Sequence, residues 1–171
     1  MNAVTGRVSM VEECGGWQVV NVKDSRWAAK EKFGRRCVFE QHDRFPQTGI
    51  NLQVLEPGQP NGRYHRENAQ EDFLVLSGEC LLLVNGVERR LTEWDFVHCP
   101  AGVTHVFIGA GDGPCAILMI GHRPEAHQLF YPESELARTH DAEAPEPTSD
   151  PRVAYSDVTG WAECEAPGWP L

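Results

Sequence analysis

The sequence predicts an all-β domain, an antiparallel barrel or sandwich spanning residues 49 to 120, with a short extension before it and a tail after it. Three observations carry that prediction. From Gly49 onward, short apolar or alternating runs follow one another and are closed by turn residues, the pattern of a small all-β fold. Asn85-Gly86 lies between two such runs, and this pair best tolerates positive φ at both centres of a type I′ turn, so a hairpin is predicted there. No intervening stretch could supply the crossover helices that a parallel sheet requires.

The runs are INLQVLE (50–56), DFLVLSGE (72–79), CLLLV (80–84), VERRL (87–91), DFVHC (95–99), HVFIG (105–109) and CAILMIG (115–121), and these seven strands nearly close a barrel. Residues 110–114, Ala-Gly-Asp-Gly-Pro, predict a second tight reversal and hence a second hairpin, with Pro114 at a strand start where its missing N–H does little harm.

Before the barrel, in residues 1–48, WQVVNV (17–22) reads as a strand and SRWAAKEKF (25–33) as a short helix or irregular turn behind a Ser25 cap. After the barrel unit of residues 49–122, SELARTHD (134–141) has room for one or two helical turns. Six of the twelve prolines lie beyond residue 131 and block any longer helix or ladder. Residues 123–171 are therefore expected to form an extended tail, draped over the barrel or partly disordered, with Trp161 and Trp169 as anchors.

A chain of 171 residues suits one domain with extensions. Its net charge is −10, but from Tyr131 to Leu171 nine acids face two arginines, so the tail carries −7 and the rest −3. An acidic chain without a basic stripe is a poor partner for nucleic acid or an anionic membrane, since both need clustered Lys and Arg. No run of 18 apolar residues and no leader-like start are seen, so the expected location is the cytoplasm. The cysteines at 14, 37, 80, 99, 115 and 164 form no CxxC pair and are read as reduced, with Cys80, Cys99 and Cys115 as buried apolar filler.

The chemistry-bearing stretch is Tyr64-His65-Arg66-Glu67-Asn68-Ala69-Gln70-Glu71. In an extended chain His65, Glu67 and Glu71 share parity with Phe73 and Val75 and project from one face, subject to a break near Asn68. His105 opens another strand behind the rigid Pro100-Ala101-Gly102-Val103-Thr104 turn, which can aim its imidazole into the same interior. Two imidazoles with one or two carboxylates suit a divalent Mn, Fe, Ni or Zn ion, include the two-His-one-carboxylate set of non-haem iron sites, and disfavour copper(I). Taken singly, His65 and Glu67 also read as rim residues and His105 as a core histidine bonded to a backbone carbonyl. Arg63 and Arg66 are placed to hold an anionic substrate at the mouth or are simply solvated. His98 and Cys99, adjacent in a strand, point to opposite faces and cannot share a proton. His42-Asp43, His122, His127 and His140 form no spaced set.

Residues 58–67 followed by Glu71 and, after six residues, Gly78 resemble the first cupin motif, G(X)5HXH(X)3-4E(X)6G. Residues 94–109 resemble the second, G(X)5PXG(X)2H(X)3N. The resemblance implies a cupin-type jelly roll, or double-stranded β-helix. It implies metal ligands at Glu71 and His105, with His65 and Glu67 in the two histidine positions of the first motif. Glu67 replaces a histidine, Trp94 the leading glycine and Gly109 the final asparagine. A competing register, which fits the spacing from Gly58 better, puts Tyr64 and Arg66 at the histidine positions and supplies no ligands.

The cupin resemblance implies a metal-dependent enzyme acting on a small organic molecule, among dioxygenases, isomerases, epimerases and decarboxylases, with Glu67 or Glu71 as a base where it is not a ligand. The other readings are a non-catalytic binding or storage barrel with a degenerate metal site, and a vestigial site in a protein that serves an assembly. The small cupins resembled are commonly dimers, so a homodimer is expected, with the 17–22 strand pairing with a partner's sheet edge.

Overall fold

All seven apolar runs form strands. In the computed structural model, which describes residues 17–40 and 43–168, the chain order is β1 (Trp27–Lys30), β2 (Gly34–Val38), β3 (Thr48–Leu55), β4 (Arg66–Glu67), β5 (Glu71–Ser77), β6 (Glu79–Val84) and β7 (Val87–Leu91). There follow β8 (Phe96–Cys99), β9 (His105–Ala110), β10 (Cys115–His122), β11 (Leu129–Phe130), α1 (Glu135–Thr139), α2 (Pro151–Ala154) and β12 (Ala162–Cys164). They pair as a seven-stranded sheet, β12-β1-β2-β3-β10-β5-β8, a three-stranded sheet, β7-β6-β9, and the short pair β11-β4. All pairings are antiparallel.

The Asn85-Gly86 hairpin forms as the sequence predicts, with φ of 46° and 77° at its two centres and Val84 opposite Val87. The second predicted hairpin does not form. β9 pairs with β6, while β10 lies between β3 and β5, so residues 110–114 carry the chain from the small sheet to the large one. The reason lies in β10 itself: Cys115, Ala116 and Ile117 are all buried, so both faces are covered, as expected of a central strand. The crossing between β5 and β6 has the same character. Repeated exchange between two facing sheets makes this a cupin jelly roll, as expected, rather than a meander.

The sheets close over one interior cluster, centred on Leu55, Phe73, Val75, Leu82, Phe107 and Ile117, with Cys80, Cys99 and Cys115 packed among them as small hydrophobes. The small sheet is also covered outside, where Leu83, Val106 and Ile108 pack against Tyr64 and against Ala137 and Ala142 from the tail. That second cover explains why five successive residues of β9 are buried. Cys37, Cys80, Cys99, Cys115 and Cys164 are free thiols, and Cys14 and Trp169 lie outside the described residues.

Both N-terminal expectations are corrected. Residues 17–21 form no strand, and Val22–Asp24 is a single 3-10 turn capped by the Asn21 side chain. The segment read as a short helix or irregular turn is instead strand β1 followed by the turn of residues 31–33, which leads into β2. Trp27 explains the outcome: packed with Cys37, Leu52, Val54 and Ala116 against the outside of the large sheet, it is worth more as a buried strand residue than the local helix propensity of Ala28-Ala29-Lys30. The outer edge of β1 is filled from within the chain, by β12.

The tail is ordered over its described part. Its Ser134-capped helix α1 falls where one or two turns were expected, and Asp150 caps α2 with Pro151 at the first position. Trp161 anchors by lying under the Arg36 guanidinium at 4.1 Å. Arg63, read from sequence as a mouth residue, is instead the tail's central bolt. It is 1% exposed and donates to the carbonyls of Ala154, Asp141 and Glu143 and to the Asp157 carboxylate at 2.5 Å. Among the described residues, no helix is long and apolar enough to cross a membrane.

Trp94, in the position of a motif glycine, has φ 71°, the left-handed region that disfavours a bulky aromatic. Gly109, in the position of the motif asparagine, has no room for a side chain: a Cβ would lie 2.2 Å from the Glu56 carbonyl oxygen.

Candidate metal centre

His65 and His105 face each other across an isolated antiparallel bridge. Each backbone amide donates to the other's carbonyl, at 3.2 and 2.8 Å, which puts both side chains on one face with ring centroids 5.3 Å apart. Each imidazole is then fixed by the carbonyl two residues before it. His65 Nδ1 lies 2.8 Å from Arg63 O, and His105 Nδ1 lies 3.1 Å from Val103 O. A carbonyl can only accept, so each Nδ1 carries the proton and each neutral ring has its Nε2 lone pair free. This is the tautomer and support that a metal-binding histidine needs.

The carboxylates arrive from the adjoining strands. Glu67 ends β4 two residues beyond His65, and the chain bends through residues 68–70 before Glu71 opens β5, so parity survives the break. His65, Glu67 and Glu71 each offer one ligand atom, all within 4.8 Å of one another. His105 Nε2 stands 3.2 Å from Glu71 Oε2. The four side chains line a cavity of about 230 Å³, whose wall also includes Asn51, Asn61, Phe73 and Met119 and, toward the rim, Arg44, Arg123 and His127. Tyr64 and Arg66, the alternative register, are used elsewhere. Tyr64 is buried in the outer cluster and accepts from the Gly86 amide at 2.9 Å, while Arg66 lies over the Phe130 ring at 4.8 Å.

The electrostatics show a cluster short of positive charge. Burial, with Glu71 beside it, pushes the Glu67 carboxyl up to about 7. Burial also lifts Glu71, but the hydrogen bond and charge of His105 outweigh it and leave Glu71 below its usual range. Burial likewise opposes a charge on His105, and the Glu71 hydrogen bond overrides it, so His105 is raised. His65 is lowered, by burial first and then by the charge of His105. His105 Nε2 and the Glu71 carboxylate thus meet at the place where a cation would satisfy both.

The sequence reading missed His127. Its Nε2 is hydrogen-bonded to the Glu67 carboxylate, because the Leu129 to Glu67 pairing of β11 with β4 returns the chain to the site sixty residues later. No local signal announces that return. His98, on the outer side of β8, pairs with Asp72 at 2.6 Å and not with Cys99, as its parity predicts. His122 lines the cavity, His140 is bonded to Glu88, and His42 lies outside the described residues.

At the cavity rim, Arg123 donates to Glu40 Oε1 and to Phe45 O, both at 2.5 Å, and to Glu40 Oε2 at 3.1 Å. That hydrogen bond, ahead of the opposing effect of burial, holds the Glu40 carboxyl below its ordinary range. A carboxyl lowered by folding stabilises the fold above its unfolded value of 4.5, and that contribution is lost as pH falls through the folded value. Arg123→Met is therefore expected to be less stable than wild type at pH 7 by about 1 kcal/mol. The gap should close in acid, and urea melts from pH 7 down to pH 3 check this; a gap independent of pH contradicts it.

Residues 51–121 match the family described as Cupin domain. Among solved structures, a cupin-superfamily sugar phosphate isomerase of Silicibacter pomeroyi is 25% identical with a TM-score of 0.53, covering 67% of this chain and 69% of that one. A protein of Acidithiobacillus ferrooxidans, provisionally assigned as a sugar phosphate isomerase, is 25% identical with a TM-score of 0.51; the match covers 56% of this chain and 64% of that one, less than two thirds of its length. The polyketide cyclase RemF of Streptomyces resistomycificus, 14% identical with a TM-score of 0.54 over 65% of this chain and 83% of that one, shares the fold. A search of curated proteins found no match. Motifs, strand order and family match agree that residues 51–121 form a cupin domain.

Proposed function

We propose that this protein is a metal-dependent cupin enzyme acting on a small organic molecule, of the isomerase or oxygenase type. One observation carries the reading: two imidazoles, each tied at Nδ1 to a backbone carbonyl, present their Nε2 atoms to a cavity that also holds two carboxylates. The donor set fits a divalent Mn, Fe, Ni or Zn ion. His65, Glu71 and His105 would hold it, with Glu67 as a fourth donor. Such an ion, when bound, supplies Lewis-acid polarisation of a substrate oxygen or an open position for a second ligand.

The chain's own residues supply the rest. Glu67 has a competing partner in His127, and a carboxyl titrating at about 7 beside an imidazole can take or return a proton at neutral pH. Phe73 and Met119 give the cavity an apolar floor that limits water. The likeness to sugar phosphate isomerases supports a polar, oxygen-rich substrate. The test is a paramagnetic screen: protein loaded with Mn2+ is mixed with small hydroxy and keto acids and sugar phosphates, and proton line widths are recorded. Selective broadening of some compounds, abolished by Glu71→Gln, is expected; uniform absence of broadening contradicts the proposal.

The homodimer expected from sequence is proposed on a different surface. Trp94 and Phe96 are 70% and 64% exposed beside β8, a free edge of the large sheet, and Trp94 keeps a strained backbone in a glycine position. Light scattering should give the dimer mass at micromolar concentration for wild type and the monomer mass for Trp94→Gly; a monomeric wild type overturns this.

A further inference from the structure

A second hollow opens between β1, β2, β3 and the tail. It measures about 370 Å³, and its wall carries Lys30, Arg36, Gln53, Asn61, Tyr155 and Trp161 among others, with no carboxylate. In a chain of net charge −10 that is an unusual concentration of cations. Lys30 is 8% exposed, and its ammonium faces aromatic rings, 4.1 Å from the Tyr155 centroid and 5.2 Å from that of Phe33. The acid whose field reaches it, Asp157, is already taken by Arg63. Arg36 lies over Trp161, and its buried Nε has no hydrogen-bond partner.

A buried cation without a counter-charge is costly, and a guanidinium held over an indole retains a fork of donors shaped for a carboxylate or phosphate. Burial and the charges of Arg63 and Arg36 hold the Lys30 ammonium below its ordinary range, and burial lowers Arg36, so both cations are uncompensated. Tail residues Tyr155 and Trp161 fix the two cations in place, which gives the ordered tail a role beyond packing. Asn51 and Asn61 line both this hollow and the His/Glu cavity, so the two adjoin across a shared polar wall.

We infer that Lys30 and Arg36 form an anion site that seats the carboxylate or phosphate of a small organic acid, leaving the rest of that molecule directed past Asn51 and Asn61 toward the His/Glu cavity. The anion site stands on its own geometry; its place as the substrate's anchor rests on the function proposed above. Recognition combines charge, the guanidinium fork and the Asn61 amide nitrogen, whose other contact is to Met119 Sδ at 3.8 Å, with the aromatic faces, so an anion attached to a planar or apolar group is favoured over a free inorganic one.

Calorimetric titration tests this on protein stripped of metal by chelation and dialysis, with inorganic phosphate, phenyl phosphate, benzoate and neutral benzamide as probes. Phenyl phosphate, benzoate or both should bind one per chain, with benzamide at least tenfold weaker, and the preferred probe identifies phosphate or carboxylate as the natural group. Lys30→Met and Arg36→Gln should each weaken that binding at least tenfold, and Arg36→Lys should recover part of it. Wild type that binds no anion, or binding that survives both Lys30→Met and Arg36→Gln, overturns the inference; if one variant does not fold, the other decides. Metal content measured on the same variants separates the two readings. Anion binding without metal binding sinks the proposed function alone, and metal binding without anion binding sinks this inference alone.

Discussion

Arg63→Met is expected to lower stability by about 3 kcal/mol, a fall in melting temperature of roughly 6–12 °C for a chain of this size. The Arg63 side chain, almost fully enclosed, makes four hydrogen bonds, to the carbonyls of Ala154, Asp141 and Glu143 and to Asp157, and its guanidinium lies 5.1 Å from the Phe33 ring centroid. Methionine fills much of the volume but leaves the buried Ala154 carbonyl and the partly buried Asp141 and Glu143 carbonyls without this donor and releases Asp157 to water. The loss should also reach the site, because Arg63 O accepts from His65 Nδ1 and the Arg63 amide donates to Tyr155 Oη at 3.1 Å. Thermal melts and limited proteolysis check it: early cleavage after residue 131 is expected, and a melt within 2 °C of wild type contradicts it.

His105→Ala and Glu71→Gln are each expected to weaken metal binding at least about 100-fold, beyond the loss that follows from removing a supporting residue alone. Chelator-stripped wild type supplied with metal at a hundred times its dissociation constant should gain about 2.7 kcal/mol, a rise of roughly 5–10 °C in melting temperature. Both variants should lose most of that rise. A cation there would compete with protonation of His105 and Glu71, so binding weakens as pH falls. A metal-induced shift equal in wild type and both variants would place the binding elsewhere.

The barrel was legible in the sequence because its information is local. Each apolar run carries its own alternation, and Asn85-Gly86 dictates its own turn. The site's inner half was legible for the same reason: His65 and Glu67 share parity, and the rigid turn before His105 sets its direction. What the sequence hid depends on partners far along the chain. Residues 25–33 carry helix formers, yet Trp27 finds Leu52 and Ala116 and the segment becomes a strand. β9 and β10 look like a hairpin, but each finds a better edge in the opposite sheet. Arg63 reads as a loop cation until the tail's carbonyls close on it, and His127 stays anonymous until β11 pairs with β4. Lys30 and Arg36 are unremarkable in sequence, since only the tail's Tyr155 and Trp161 make a pocket of them.

The most direct measurement is elemental analysis of protein purified without a histidine tag and without chelators. About one atom of Mn, Fe, Ni or Zn per chain is expected in wild type, and close to none in the His65→Ala and His105→Ala variants. A wild type free of all four metals, or variants that carry as much as wild type, would contradict the account.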